Sequence, residues 1–385
     1  MPIDSVAAAM ERLQSHYSLR IDPRSLVPNG VIGCLGFDVP RELILACGLR
    51  PVRLAGNPAR PTPHTDKVMG GMGDGETRSR MEHLLSGEFG ALSGLVISHD
   101  VEDQVRMFYA LQELRRVGDP LAASLPQIHF FDLLHMKYRT TWLYNRDRIA
   151  RLADWLGGIG TPFSDESLAH AIVECNRSRT LLHRLRAYRG PAETRILGSD
   201  ALAAIGASFS MPPVAYNQTL EALLEGLETA PAIPGPRIFI TGSINDSPLV
   251  YEMIEHAEGV VVGEDHDWGD RGYDRLVGEG EEDPLGALVD AYQFAPPASA
   301  KFSTVARAAY TASHAKATGA EAVIAVIRRS DDAPRWDIPA QREVLAKAGI
   351  PLLLVEVDGY HEDQQRAAQP AIAEFIGQIR AGGAR

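Results

Sequence analysis

Carboxylates and amides collect directly after short runs of branched apolar residues. Asp38 follows 31–37, and His99-Asp100-Val101-Glu102-Asp103 follows 94–98. Gly242-Ser243-Ile244-Asn245-Asp246 follows 237–241, Glu264-Asp265-His266-Asp267 follows 259–262, and Ser330-Asp331-Asp332 follows 321–327. Carboxylates gathered in one cleft can hold a divalent cation or do acid–base work. The same residues are natural helix N-caps, because their oxygens accept first-turn amide hydrogens. Spacing alone leaves both readings open.

Thr241-Gly242-Ser243 could bring backbone amides to a phosphate. It matches neither GxGxxG nor a Walker A loop, and a turn with a cap explains it equally well. The stretch 176–186 is basic, with four arginines suited to phosphate, or else forming a solvated or interface-pairing face. Twelve histidines include no HExxH, so no zinc site is expected, and no GxSxG elbow marks a hydrolase nucleophile. The three cysteines, 34, 47 and 175, form no CxxC pair. Cys47 and Cys175 sit in apolar or helical settings that suit small core residues. Only Cys34 approaches a strand end.

The elements that must position these residues alternate in period. Runs at 31–37, 52–55, 94–98 and 127–131 read as strands, and a second set follows at 237–241, 259–262, 321–327 and 351–355. Between the sets, helical periodicity covers 138–156, 167–188, 200–208 and 217–229, and Pro231, Pro234 and Pro236 close it. Strands separated by helix-length segments imply parallel βαβ units, with ligands outside the carboxyl ends of the strands. The expected fold is α/β: two Rossmann-like open parallel-sheet domains with a helical layer between them. The expected division is an N-terminal helix in 1–25, a first α/β domain in 26–136, a helical segment in 137–234 and a second α/β domain in 235–385. No internal repeat is evident, and the acid-rich stretch 252–283 reads as solvated surface.

A chain of 385 residues, 45% hydrophobic and 23% charged, suits two globular domains. Its longest apolar runs are about seven residues, against the ~20 of a membrane span. A net charge of −12 argues against a nucleic-acid partner. The N-terminus lacks a basic, then apolar, leader pattern, so a cytoplasmic location is expected.

The segment 31–54 carries a sharper signal: a glycine-bearing strand, then Val39-Pro40-Arg41-Glu42-Leu43, Ala46-Cys47-Gly48, and Pro51-Val52-Arg53. It resembles the opening of the 2-hydroxyacyl-CoA dehydratase and benzoyl-CoA reductase subunit family. Further similarities follow in order at 84–97, at Asn176 and Arg179, at 236–243, at 336–339 and at 348–358. The resemblance implies pairing with a related subunit, an acyl-CoA ligand, and an iron–sulfur cluster held by cysteines from strand-end loops. In that family an ATP-dependent activator supplies the electron for radical dehydration or for aromatic reduction.

At the ligand positions this chain departs from the pattern. The first falls on Gly36, the second on Glu102 and the third on Asp331, while a further cysteine position falls on Asp267. Carboxylates prefer harder ions than the thiophilic iron of such clusters. A [4Fe–4S] cluster is therefore not expected, and neither is any other resident cofactor, a divalent cation apart. Two functions stay open: a non-catalytic partner subunit that keeps an acyl-CoA cleft, and an acyl-CoA lyase with a changed mechanism. In the second, Glu102 and Asp331 act as acid and base, or Glu102, Asp267 and Asp331 hold a divalent cation. Gly36, Gly242 and Ser243 are the expected substrate-binding positions. The partner is expected to be a related family subunit, in a hetero- or homodimer.

Overall fold

The computed structural model describes residues 6–26, 30–190, 193–297 and 301–383. Residues 1–5, which carry the expectation about a leader, lie outside them. Eight strands form where apolar runs predict them. β1 (Val31–Leu35), β2 (Arg50–Arg53), β3 (Gly94–Ser98) and β4 (Ile128–Phe131) make one sheet in the order β2-β1-β3-β4. β5 (Arg237–Gly242), β6 (Val260–Glu264), β7 (Ala322–Arg328) and β8 (Leu352–Val357) make a second, ordered β6-β5-β7-β8. Every pairing is parallel. β1, β3, β6 and β7 are buried at every residue, which is why they read as unbroken apolar runs rather than as alternation.

The two sheets repeat one topology that no sequence repeat announces, because topology constrains the apolar pattern and not the side chains. In this order the chain reverses direction across the sheet between β1 and β3, and again between β5 and β7. Those two crevices are where the loops bearing Gly36, Glu102, Gly242, Ser243 and Asp331 emerge.

The helical segment between the sheets does not stay with one of them. Helices Arg139–Ile159 and Asp165–Ala187 cover the first sheet, where Ile149, Leu152 and Ile172 pack with Ile32 and Phe131. Helix Gly198–Ala207 covers the second, where Leu202 and Ala203 meet Ile238 and Val261. The N-terminal helix Val6–Ser18 and helix Pro213–Leu227 close a third core around Leu13, Leu185 and Leu220. Helix Pro284–Gln293, which follows the second sheet's β6, crosses back: its Leu288, Val289 and Tyr292 lie in the first sheet's core.

The acid-rich stretch departs from the expected solvated surface in its middle. Glu264 and Asp270 are fully buried. Their partner lies just past the basic stretch: Arg189 Nη1 is 3.1 Å from Glu264 and 3.2 Å from Asp270, and within the stretch Arg186 Nη2 is 2.7 Å from Asp274. The middle of the acidic run and Arg186 and Arg189 therefore meet in one buried interface, where opposite charges offset the cost of burial. Among the described residues, no helix is long and apolar enough to cross a membrane.

Candidate functional site

The first crevice is shaped by a glycine. Gly36 has φ +105°, and a Cβ there would overlap Ser98 Oγ and the Asp100 carboxylate. Asp100 fills that space because the loop needs it: its Oδ2 accepts from Phe37 N at 2.5 Å and its Oδ1 from Ser98 Oγ at 2.7 Å. Among the described residues, no cation pairs with it. Burial, with the charges of Asp38 and Asp267 nearby, pushes its carboxyl from 3.8 up to about 6. Beside it, Asp38 Oδ2 lies 2.8 Å from His135 Nε2. Burial opposes the Asp38 charge, but His135 and the guanidiniums of Arg275 and Arg271 hold this carboxyl below the ordinary range.

The raised Asp100 carboxyl has a sign that can be measured. The folded state holds its proton more tightly than the unfolded chain does. The stability this contributes is complete below pH ~4 and is lost as pH rises through ~6. Asp100→Asn keeps an acceptor for Phe37 N, and the Ser98 hydroxyl can rotate to match the amide. Urea unfolding of both proteins between pH ~4 and ~7 is expected to show the wild type losing stability relative to the variant. A constant difference across that range would refute the assignment.

The second crevice is arranged likewise. Gly242 has φ +111°, and a Cβ would run into the Val326 carbonyl. Ser243 N donates to Val326 O at 2.9 Å, and its Oγ accepts from Arg328 N at 3.0 Å. Both Ser243 groups are thus used inside the sheet edge, and the loop tightens the end of β5 against β7. Arg328, 3% exposed, reaches across to the first domain. Its Nε donates to Asp74 at 3.1 Å, its Nη2 lies 3.0 Å from Glu76 and 3.9 Å from Asp331, and its Nη1 donates to Ile244 O at 2.8 Å. Asp74 also caps helix Gly75–Leu85 by accepting from Glu76 N at 3.1 Å, and it accepts from Ser330 Oγ at 2.8 Å. Arg80 continues the network, pairing with Glu76 and lying 3.9 Å from Asp246.

Asp267, after β6, is clasped by two guanidiniums. Arg53 Nη1 donates to its carbonyl at 2.7 Å and Arg53 Nη2 lies 3.6 Å from its carboxylate, which also pairs with Arg271. The structure brings Gly36, Glu102, Asp267 and Asp331 together: all four line one cavity of about 260 Å³ between the domains. Their states differ. Glu102 is two-thirds exposed, with a carboxylate 3.8 Å from His99, whereas Asp267 and Asp331 are counter-ions of arginines. Among the described residues, no three His, Cys, Asp or Glu side chains are grouped as a cation would require.

With this geometry in place, the comparison with known proteins is decisive as to family. The model of the 2-hydroxyglutaryl-CoA dehydratase D-component matches residues 37–379, nearly the whole span of both sheets. The chain belongs to this family. It is similar to the (R)-phenyllactyl-CoA dehydratase beta subunit of Clostridium sporogenes, 21% identical over 90% of this chain and 91% of that one. It is similar also to the (R)-2-hydroxyglutaryl-CoA dehydratase subunit beta of Acidaminococcus fermentans, 23% identical over 90% of this chain and 92% of that one.

Within the D-component family, the question at this cleft is which donors are present. Cys34 lies in β1, Cys47 ends helix Arg41–Ala46 and Cys175 lies inside helix Asp165–Ala187; all are buried, and none lines the 260 Å³ cavity. Burial pushes the Cys34 thiol up to about 12 and the Cys175 thiol up to about 11. Cluster ligation needs thiolates that converge. Three separated, proton-holding core thiols do not fit such a group.

Sequence reasoning missed the cations. Arg53, Arg271, Arg275 and Arg328 are all at least nine-tenths buried and face the cavities between the sheets. A signal was present for two of them. Arg53 stands among Val52, Leu54 and Ala55 and Arg328 ends the longest strand, and a charge inside an apolar run must meet a partner.

Proposed function

We propose that this chain is a cluster-free subunit of a 2-hydroxyacyl-CoA dehydratase-type assembly, a non-catalytic partner that keeps an acyl-CoA-type cleft. The observation that carries this reading is the content of the cleft. At the four positions where cysteines are expected, it presents a glycine with no room for a side chain, one exposed glutamate and two aspartates held by arginines. All three thiols of the chain are buried and none lines this cavity, although Cys34 borders a smaller pocket next to it. The chain's residues can bind and orient: Arg53 and Arg271 share a single carboxylate, Asp267, and so leave positive charge for an anionic thioester ligand, whereas Arg328 is taken up by Asp74, Glu76 and Asp331. The network through Arg328 holds the two walls of the cleft in register.

The test is metal and sulfide analysis of anaerobically purified protein, followed by mixing with a cysteine-bearing subunit of the same family. The expected outcome is protein without stoichiometric iron, sulfide or visible absorption, which forms a heteromeric species with the second subunit in size-exclusion chromatography. Iron and sulfide at ~4 per chain would overturn the reading. So would the absence of any heteromer.

One observation favours the lyase as a second reading. Asp100 and Asp331 face the same cavity, and burial raises both carboxyls to about 6, so that either can carry a proton near neutrality. That reading requires the isolated chain to hydrate or dehydrate an acyl-CoA thioester. It also requires Mg²⁺ or Mn²⁺ to stabilise the isolated chain if a cation takes part, a gain that Glu102→Gln or Asp331→Asn would remove.

A further inference from the structure

A smaller pocket opens beside the main cavity, past Phe37, with a volume of about 40 Å³. A water needs about 10–15 Å³ by that measure, so the space suits a group the size of three waters. Its lining is unusual for so small a space: Arg41, Arg53, Arg179 and Arg275 alternate with the rings of Phe37, Phe209 and Tyr292.

The charges there do not balance locally. Arg179 is used by Glu42 and by Asn176 Oδ1, the latter at 3.0 Å. Asp267 serves both Arg53 and Arg271. Arg275 is 9% exposed; among the described residues no carboxylate lies within ion-pairing range of it, Asp38 and Glu42 acting only from farther off, and its Nε and Nη1 are buried without a hydrogen bond. Arg53 Nε is buried without a partner as well. Aromatic faces hold these groups in place. The Arg275 guanidinium lies 3.7 Å from the Tyr292 centroid and 4.5 Å from that of Phe37, and Arg53 and Arg271 also lie within 6 Å of the Phe37 centroid. The Tyr292 hydroxyl is occupied by Glu42 at 2.8 Å, so the tyrosine offers Arg275 only its face.

A buried guanidinium is costly unless it is paired and hydrogen-bonded, and ring faces replace neither the charge nor the acceptors. Burial accordingly lowers the proton affinity of Arg275, and that of Arg53 to about 10. What is missing is a small anion with acceptors for a planar fork and an organic part for the rings. Inorganic phosphate fits less well, since its four oxygens would face aromatic carbon over much of the wall.

We propose that this pocket is a small-carboxylate subsite, in which Arg275 and Arg53 grip the carboxylate and Phe37, Phe209 and Tyr292 receive its carbon skeleton. The ligand class is a short carboxylic acid, or a larger molecule ending in a carboxylate. The proposal rests on the reading that the cleft binds a ligand, and it holds whether or not the chain has a partner subunit.

The experiment is titration of the full chain, alone, with acetate, succinate and inorganic phosphate at constant ionic strength, read by calorimetry and by thermal midpoint. A carboxylate is expected to bind saturably and to raise the midpoint by roughly 2–5 °C. Arg275→Met is expected to weaken that binding about 30-fold or more, while its ligand-free midpoint equals or exceeds that of the wild type. A merely structural arginine would instead lower the ligand-free midpoint. If Arg275→Met does not fold, Arg275→Lys carries the test, with binding weakened about tenfold because the fork is lost although the charge remains. Three results would overturn the proposal: no carboxylate binding by the wild type, equal binding by the Arg275 variants, or binding of phosphate alone. Because no second subunit is present, such a failure leaves the partner experiment untouched.

Discussion

Replacing Arg328 by methionine is expected to cost about 3–5 kcal/mol of unfolding free energy at neutral pH. Among the described residues this side chain is the only cation that Asp74, Glu76 and Asp331 share, and it comes from the domain opposite Asp74 and Glu76. Methionine fills much of the same volume but leaves Asp74 and Asp331 without their cation, while Glu76 keeps Arg80. Burial already raises the Asp331 carboxyl to about 6, and protonation relieves its share of the repulsion, so the loss should shrink as the pH falls through ~6. The network ties β7 of one sheet to helix Gly75–Leu85 of the other domain. Its loss is therefore also expected to split a single thermal transition into two, as each domain unfolds on its own. Calorimetry reads both effects. Asp74→Asn combined with Arg328→Met should recover part of the loss, whereas additive costs would show that the two groups do not interact.

The second large effect concerns Gly36. Installing the cysteine expected at this position, Gly36→Cys, should destabilise the chain by about 3–5 kcal/mol and bring in no iron. Two costs add: a side chain at φ +105°, and its overlap with Ser98 and Asp100. Gly48 separates them. It also has positive φ, +71°, but a Cβ there would meet nothing within 4 Å. Gly48→Ala should thus cost only about 1–2 kcal/mol, the backbone part alone. Asp100→Ala in the Gly36→Cys background should return the steric part. Equal costs at 36 and 48 in urea unfolding would mean that the first crevice has more room than its geometry indicates.

Much of the fold was legible in the sequence because doubly covered parallel strands must be apolar throughout. Runs such as Val323–Ile327 and Leu95–Ile97 are hard to place elsewhere in a chain of this composition. The loops bearing Gly36, Glu102, Asp267 and Asp331 were legible as a set, since strand ends of one hand must open onto one side. What those residues do there was not. Whether Asp267 is a ligand, a base or a counter-ion depends on Arg53, more than 200 positions away in the chain and 3.6 Å away in space. The same distance hid the pairing of the acid-rich stretch with Arg186 and Arg189. Local charge density reads as surface until the complementary density is folded against it. Gly36 and Gly242 were singled out as contacts for a ligand, yet each is required first by its own positive φ and by the neighbour that occupies its missing side chain.

The return of helix Pro284–Gln293 to the first sheet bears on how the molecule is made. Ile32, Leu152 and Leu156 belong to the first half of the chain, but their packing is completed by Leu288 and Tyr292. A nascent chain leaving the ribosome through residue 234 has every strand of its first sheet and still shows part of that face to solvent. Domain-by-domain folding during synthesis is therefore expected to pause, with the apolar groove uncovered until β5 and β6 have been made and helix Pro284–Gln293 follows. Maturation of the N-terminal half is coupled to translation of the C-terminal half, and the cleft between them cannot exist before both are present.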